Sequence, residues 1–213
     1  RAQQGAQREE QHQHSHGCGD APNCLGQRGS APAKRSGLRP CTRQLSGGIK
    51  AAMHNLSVLV LGGSVTGGGG VGNHLNLTWH AQLGTVRPTV HFKNAIDPSY
   101  FLHCTPRFVD HAYDAVVLDL GANMFGSGSG DALEALIRRV RCLTNATSTA
   151  IIDWHGAMHN NASRVAAAHT NATLLDLPRR AHLYAADRIH PNASGHALIA
   201  ERVRAHLAHL PRD

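Results

Sequence analysis

The sequence predicts an α/β fold in which a parallel sheet is covered by helices on both faces. Five short apolar runs, each of the length of a buried strand, are spread over residues 57–178. Segments with helical spacing of their apolar residues lie among and after these runs. Such an alternation favours parallel pairing, because a parallel strand is reached only through a crossover that covers one face of the sheet.

Four of the five predicted strands are rich in Val, Leu, Ile or Ala, and the second, TVHFKN, has one Val and one Phe. Val, Leu, Ile and Ala must build the core, because the chain has only four Phe, three Tyr and two Trp. In chain order the strands are SVLVLG (57–62), TVHFKN (89–94), DAVVLDLG (114–121), STAIIDW (148–154) and ATLLDLP (172–178). In sheets of this kind, functional side chains collect on the loops beyond the carboxyl ends of the strands.

Two segments place their apolar residues on one helical face. Residues 131–143 do so with Leu133, Leu136, Ile137 and Val140, and residues 194–210 do so with Leu198, Ile199, Val203 and Leu207. Ser194 is a plausible N-cap for the second of these helices. Residues 73–83 and 161–169 show less of this spacing and are further helix candidates.

The chain divides into an N-terminal segment, residues 1–45, and one domain, residues 46–213. The segment is rich in Gln, Arg, His, Gly and Ser and has almost nothing to bury, so we expect it to be disordered or tethered only by disulfides. His12, His14 and His16 could hold a metal ion loosely, although a solvated tail explains the same residues.

Sequons and cysteines indicate the secretory pathway. Asn-X-Ser/Thr occurs six times, where the composition predicts about one by chance, and such sites are glycosylated only after entry into that pathway. The candidate glycosylation sites are Asn55, Asn76, Asn145, Asn161 and Asn171. The five cysteines, which suit an oxidising compartment and leave at least one unpaired, are Cys18, Cys24, Cys41, Cys104 and Cys142. Because the first residue is Arg, we interpret the chain as processed, with its targeting segment removed.

Composition also excludes several function classes. No apolar run approaches the roughly 18 residues of a transmembrane helix, so we expect no integral membrane segment. Aromatic residues do not interleave with the basic ones, which argues against a nucleic-acid partner. The net charge of +7 could favour anionic polysaccharides or membranes, although the Arg residues are scattered. No Cys-X-X-Cys pair is present, and we expect no cofactor and no metal.

The stretch VLVLGGSVTGGGGVG (58–72) ends a predicted strand with seven glycines around one serine, Ser64. A hydroxyl among unobstructed backbone amides suits a nucleophile whose attack generates an oxyanion, and a helix beginning near Gly72 or Asn73 would point its free N–H groups there. A phosphate-binding loop would need a Lys, which is absent. A dinucleotide loop (GxGxxG) and a glycine hinge with an incidental serine remain alternatives.

Two other segments lie at comparable places. In DRIH (187–190), Asp187 is three residues before His190, close enough to hold the imidazole and leave its Nε2 free to take a proton from a serine. In DLGANM (119–124), Asn123 follows a strand and could donate its side-chain amide to the same oxyanion as the Ser64 amide. Each segment alone is also compatible with an ordinary turn.

Together, strand-GGSVT, strand-GxN and DxxHPN resemble the SGNH (GDSL-like) hydrolase superfamily, over about residues 56–210. The first block is similar to a eukaryotic branch that also reads GGSVT, and residues 89–104 resemble the segment after its second strand. The resemblance implies a three-layer α/β/α sandwich on a five-stranded parallel sheet, the flavodoxin-like SGNH hydrolase fold. It also implies a nucleophile, Ser64, a base, His190, its orienting carboxylate, Asp187, and oxyanion donors from Asn123 and the Ser64 amide.

The chain departs from the family pattern at three places. Gly63 and Met124 stand where the family usually has Asp. The glycine that usually supplies a second oxyanion amide is not evident after the second strand, where Ala95, Asp97 or Pro98 lies, and proline has no N–H. Loss of one oxyanion donor can cost about 3 kcal/mol, so a weakened enzyme is also compatible with the sequence.

The resemblance therefore implies a secreted serine esterase that hydrolyses O-acyl esters through an acyl-enzyme. The extracellular address suggests an acetylated carbohydrate, or else a small ester, as substrate. The alternatives are an O-acyltransferase of the same fold and a catalytically silent glycan-binding protein. Asn192 lies two residues after the proposed base, so we expect it to be unoccupied by glycan or to cap the last helix.

Overall fold

A computed structural model of the chain describes residues 56–124, 128–154 and 161–210. These residues form five strands, β1 (Val58–Gly62), β2 (Thr89–Phe92), β3 (Ala115–Asp119), β4 (Ser148–Asp153) and β5 (Thr173–Asp176). Four helices accompany them, α1 (Pro98–Phe108), α2 (Ser129–Thr144), α3 (Ala162–Thr170) and α4 (Ala193–Ala208). All five predicted strands are present. The N-terminal segment 1–45 and its cysteines lie outside the described residues.

The strands form one parallel sheet in the order β2-β1-β3-β4-β5. Alternate side chains of β1 enter opposite cores, because successive Cβ atoms of a strand point to opposite faces. Val58 and Val60 pack with residues of α4, whereas Leu59 and Leu61 pack with residues of α1, α2 and α3. The result is the predicted three-layer α/β/α sandwich.

The predicted helix over residues 73–83 is wrong. The segment instead contains two single 3₁₀ turns, Leu75–Leu77 and His80–Gln82. The backbone amide of Trp79 donates to Nδ1 of His196 on α4, so it is not available for an α-helical bond. The Thr78 hydroxyl donates to the carbonyl of Leu75, which also favours the tighter turn. No α-helix therefore points its N-terminus at Ser64 from this segment.

Helix α1 was not predicted, although its start carries clear signals. The Asp97 side chain accepts from the backbone amide of Ser99, and Pro98 occupies the first helical turn. Of the two residues that the sequence offers as N-cap of the last helix, Asn192 and not Ser194 caps α4, by accepting from the Gly195 amide at 3.1 Å. None of the helices in the described part of the chain is long and apolar enough to cross a membrane.

Candidate active site

Three residues from distant segments meet at the carboxyl edge of the sheet. The Ser64 hydroxyl, in the loop after β1, lies 2.9 Å from Nε2 of His190. Nδ1 of His190 lies 2.7 Å from Oδ2 of Asp187. With Nδ1–H donating to the carboxylate, Nε2 is left to accept the serine proton. The structure thus brings together all three residues that the sequence singled out, in the order that proton transfer requires.

The Asp187 carboxylate is held ionised by its neighbours. It accepts from the His190 ring and from the backbone amides of Ile189 (2.9 Å) and His190 (3.0 Å). The hydrogen bond from the His190 ring is the largest of the effects that lower the pKa of Asp187 to about 2. The carboxylate consequently stays negative at neutral pH.

The glycine-rich loop lets the backbone approach the histidine. A Cβ atom on Gly69 would stand 2.3 Å from Cδ2 of His190, a distance that no side chain could tolerate. The amide of Gly69 also donates to the carbonyl of Ser64 at 2.7 Å. Bare main chain at this strand end therefore serves to pack the loop that carries the serine against the imidazole ring.

Asn123 follows β3 in a single 3₁₀ turn and is buried, with its side chain beside the same loop. Its Nδ2 has no hydrogen-bond partner among the described residues. A buried donor left unpaired costs free energy, and such donors are typical of sites that await a ligand oxygen. A Cβ atom on Gly63 would lie 2.2 Å from this Nδ2, so a side chain at the position that is Asp in the family name would displace the Asn123 amide from its present place.

A pocket of about 340 Å³ opens beside Asn123 and is lined by Ala95, Ile96, Asp97 and Tyr100. Ala95 adopts a left-handed backbone conformation with φ of 55°, one that glycine usually occupies. None of the hydrogen bonds among the described residues uses the backbone amides of Ser64 or Ala95. The sequence shows no glycine here because an alanine adopts the left-handed conformation. Ile96 and Tyr100 were not predicted as site residues, because no motif marks them.

Met124, the other departure from the family pattern, has a structural role. Its side chain is 4% exposed and belongs to the core between the sheet and helices α1, α2 and α3. Its sulfur lies 3.4 Å from the Ser163 hydroxyl of α3. The backbone amide of Asn123 is held by the carbonyl of Leu120 at 3.0 Å. Methionine at 124 thus anchors the turn that carries Asn123.

A buried polar network supports the serine loop from beneath. Asp119, the last residue of β3, is 2% exposed and accepts from the Thr66 hydroxyl at 2.6 Å and from the Trp79 indole at 3.2 Å. Burial, which outweighs these donors, raises the pKa of Asp119 to about 6. The carbonyl of Asp119 accepts from the Gly63 amide, so this residue ties the serine loop to the strand that leads to Asn123.

His196 of α4 joins the same loop from the opposite side. Its ring is fully buried, and Nδ1 accepts from the Trp79 amide at 3.2 Å. That acceptor leaves Nε2 protonated, so Nε2–H donates to the Gly69 carbonyl at 3.0 Å. Burial is the main effect that lowers the pKa of His196, which favours this neutral form. Neither Asp119 nor His196 was singled out from the sequence.

A second Ser-His-Asp arrangement lies at the opposite edge of the sheet. The Ser57 hydroxyl is 3.2 Å from Nε2 of His111, whose Nδ1 is 2.6 Å from Asp110. Here the backbone amide of the serine donates to the Asp114 carboxylate at 2.7 Å, so it cannot stabilise an oxyanion. The two serine–histidine pairs therefore differ in the backbone amide of the serine, which is available at Ser64 and bonded to a carboxylate at Ser57.

Asn192 caps α4 as expected, and both polar atoms of its side-chain amide form hydrogen bonds. Nδ2 donates to the carbonyls of His182 (2.8 Å) and Tyr184 (3.0 Å), while Oδ1 accepts from the Gly195 amide.

The asparagines of four other sequons, Asn76, Asn145, Asn161 and Asn171, are exposed. Asn55 lies outside the described residues, as do the histidine tract at 12–16 and the cysteines of the N-terminal segment, so glycosylation and disulfides stay predictions. Within the described ranges, no three His, Cys, Asp or Glu side chains cluster to hold a metal ion.

Comparison with known proteins identifies the fold. A carbohydrate acetylesterase family member from Sinorhizobium meliloti superposes with a TM-score of 0.58 over 72% of this chain and 97% of that protein, at 17% identity. The chain has the fold of the SGNH hydrolases. A member of the lipolytic G-D-S-L family from Veillonella parvula shares that SGNH hydrolase fold with a TM-score of 0.52, 16% identity and coverage of 70% and 96%.

A third structure with the SGNH hydrolase fold is a family two carbohydrate esterase from Clostridium thermocellum, solved in complex with cellohexaose. It has a TM-score of 0.54 at 14% identity and covers 71% of this chain and 63% of that one. No family model matches the sequence, and no curated protein matches it. At these identities the similarity establishes the SGNH hydrolase fold alone.

Proposed function

We propose that this protein is a serine esterase of the SGNH superfamily that hydrolyses O-acyl esters through an acyl-enzyme. The observation that carries the proposal is the hydrogen-bonded chain from Ser64 through His190 to Asp187, beside an unpartnered amide on Asn123. A proton-transfer chain alone is not sufficient for acyl transfer. The additional donors supply what the transition state needs, which is stabilisation of the developing negative charge.

In the proposed mechanism, the Ser64 oxygen attacks the ester carbonyl while Nε2 of His190 takes the hydroxyl proton. The carbonyl oxygen becomes an oxyanion that accepts hydrogen bonds from Nδ2 of Asn123 and the Ser64 amide. The imidazolium then protonates the alcohol oxygen as the bond between carbon and that oxygen breaks. Water attacks the acyl-serine with His190 again as base, and the products are one carboxylic acid and one alcohol.

The Ala95 amide is the second backbone donor in this proposal. It takes the place of the family glycine, because the left-handed turn at Ala95 lies immediately after β2 and beside Asn123 in the pocket. The family pattern places the missing donor at this point of the chain. With three hydrogen-bond donors available to the oxyanion, the absence of a glycine is not a reason to expect a catalytically silent protein.

The acyl group would occupy the pocket beside Asn123, whose volume of about 340 Å³ suits a short acyl chain. Two of the similar structures are named as carbohydrate esterases, which makes acetylated oligosaccharides the first substrates to assay. Passage through the secretory pathway, proposed from the sequons, would bring the enzyme to such substrates. Both points extend the family resemblance and rest on it.

Labelling with a fluorophosphonate, combined with turnover of p-nitrophenyl acetate, tests the proposal. We expect Ser64→Ala to lose the label and to lower kcat by at least about a thousandfold, as expected when the nucleophile of a triad is removed. Ser57→Ala is the matched control and should keep both. Equal turnover in the wild type and Ser64→Ala, or labelling of Ser57 instead, would refute the assignment.

A further inference from the structure

Exposed apolar side chains concentrate around the candidate active site. Four large hydrophobic side chains are exposed in the described part of the chain, namely Leu75 (62%), Phe92 (52%), Val165 (45%) and Ile189 (53%). Val165 lies on α3, but the other three border the glycine loop after β1 or the histidine. Apolar groups exposed next to a functional cleft are a common sign of a ligand-binding surface.

Contacts with the glycine loop place two of these side chains, Phe92 and Leu75, and chain adjacency to His190 places Ile189. A Cβ atom on Gly67 would be 2.7 Å from the Phe92 ring, and one on Gly68 would be 3.3 Å from Cδ2 of Leu75. The next residue, Gly69, contacts the ring of His190, which Ile189 precedes in the chain. We call Leu75, Phe92 and Ile189 the apolar rim.

The proposed chemistry decides which part of an ester faces the apolar rim. The carbonyl oxygen must lie at Nδ2 of Asn123, on the side where Ile96 and Tyr100 line the pocket for the acyl group. The alcohol oxygen must lie within hydrogen-bond distance of Nε2 of His190, which protonates it. The remainder of the alcohol therefore lies next to His190 and the glycine loop, where Leu75 approaches Gly68 and His190 approaches Gly69.

We infer that the alcohol portion of the substrate carries an alkyl or aryl group that packs on the apolar rim. A hydroxyl-rich sugar at this position would leave Leu75 and Ile189 against polar groups, whereas an alkyl chain removes them from water. This inference rests on the proposed function and narrows it. It keeps the esterase chemistry, and it replaces acetylated oligosaccharides, which rest on the names of two similar structures, by esters of apolar alcohols as the expected substrates.

A series of alkyl acetates tests the inference, since ethyl, butyl and hexyl acetate share one acyl group and nearly equal leaving-group reactivity. We expect kcat/KM to rise about twofold for each added methylene, which is half of the free energy available to a fully buried methylene. Hexyl acetate should therefore exceed ethyl acetate by more than tenfold. Acetate release is measured for ethyl and hexyl acetate. The ratio of their kcat/KM values does not change when a variant loses activity toward both esters equally.

The variants assign the effect to the rim. The double variant Leu75→Ser/Ile189→Ser should reduce the hexyl-to-ethyl ratio to less than threefold, and Phe92→Ser alone should reduce it partly. Val165→Ser, the matched control on α3, should keep the wild-type ratio. Because all four side chains are at least 45% exposed, the substitutions should not impair folding.

Three outcomes would overturn the inference. The first is a wild-type hexyl-to-ethyl ratio of kcat/KM near one, or a ratio that the rim variants leave unchanged. Ser64 labelling would still support an esterase in that case. A dimer that Leu75→Ser dissociates would assign the rim to a contact between copies of the chain. Absence of both acetate release and Ser64 labelling would remove the proposed function and this inference together.

Discussion

Ala95 and Arg188 carry the unusual backbone conformations of the site. Five described residues other than glycine have positive φ, and three are asparagines that flank helices. The other two are Ala95 (55°), in the turn that lines the pocket, and Arg188 (58°), between Asp187 and His190. Because alanine and arginine rarely adopt this conformation, strain is concentrated in the two turns on which the site depends.

Relief of that strain is measurable at Ala95. Ala95→Gly should raise the free energy of unfolding by about 1 kcal/mol, because the left-handed conformation costs alanine that amount and glycine nothing. The backbone amide remains, so esterase activity should persist. Ala132→Gly, in the ordinary conformation of α2, should lower the free energy of unfolding by about 1 kcal/mol. Urea denaturation of both variants checks the opposite signs, and equal destabilisation would refute the assignment of strain.

At the scale of elements, β3 supports the site through its last residue. Asp119 is buried and accepts from the Thr66 hydroxyl and the Trp79 indole, and no salt bridge within the described residues reaches it. Burial therefore leaves the pKa of this carboxyl near 6 instead of 3.8. The ionised carboxylate is disfavoured in the folded protein, so the stability that the protonated form contributes is full below pH 3.8. It is lost as the pH rises through about 6.

Asp119→Asn removes this dependence. The free energy of unfolding of the wild type, minus that of the variant, should fall by about 2 kcal/mol between pH 4.5 and pH 7.5. Urea titrations at the two pH values measure it, and all other groups cancel in the difference. Asp131→Asn, at an exposed carboxylate on α2, is the control for the loss of a carboxylate that is not buried. A constant difference for Asp119→Asn would contradict the raised pKa.

At the scale of the whole molecule, the surface distinguishes the sequons. Asn76, Asn145, Asn161 and Asn171 are exposed and accessible to glycosylation, whereas both polar atoms of the Asn192 side chain are used in hydrogen bonds. A protein expressed through a eukaryotic secretory pathway should carry glycans at the exposed sites and none at Asn192. Glycopeptide mass spectrometry checks this, and full occupancy of Asn192 in active protein would contradict it.

Most of the fold could be predicted from local sequence. The strand predicted at 148–154 is observed at Ser148–Asp153, and that predicted at 57–62 at Val58–Gly62. Buried strands are marked by continuous apolar runs, which need no knowledge of their partners. Residues 73–83 were misassigned because the amide of Trp79 bonds to a histidine 117 positions away. No local pattern reports such a contact.

The sequence by itself determined which chemical groups are available, because Ser64 follows a recognisable strand and Asp187 and His190 occur in a short motif just before the last helix. Only the tertiary structure decided that the three meet, that the amide of Asn123 has no partner within the described ranges, and that an alanine holds the glycine turn. It alone also placed Asp119, His196 and the apolar rim around them. The physical reason is that these properties depend on distances and burial between segments far apart in the chain, which packing fixes and spacing does not.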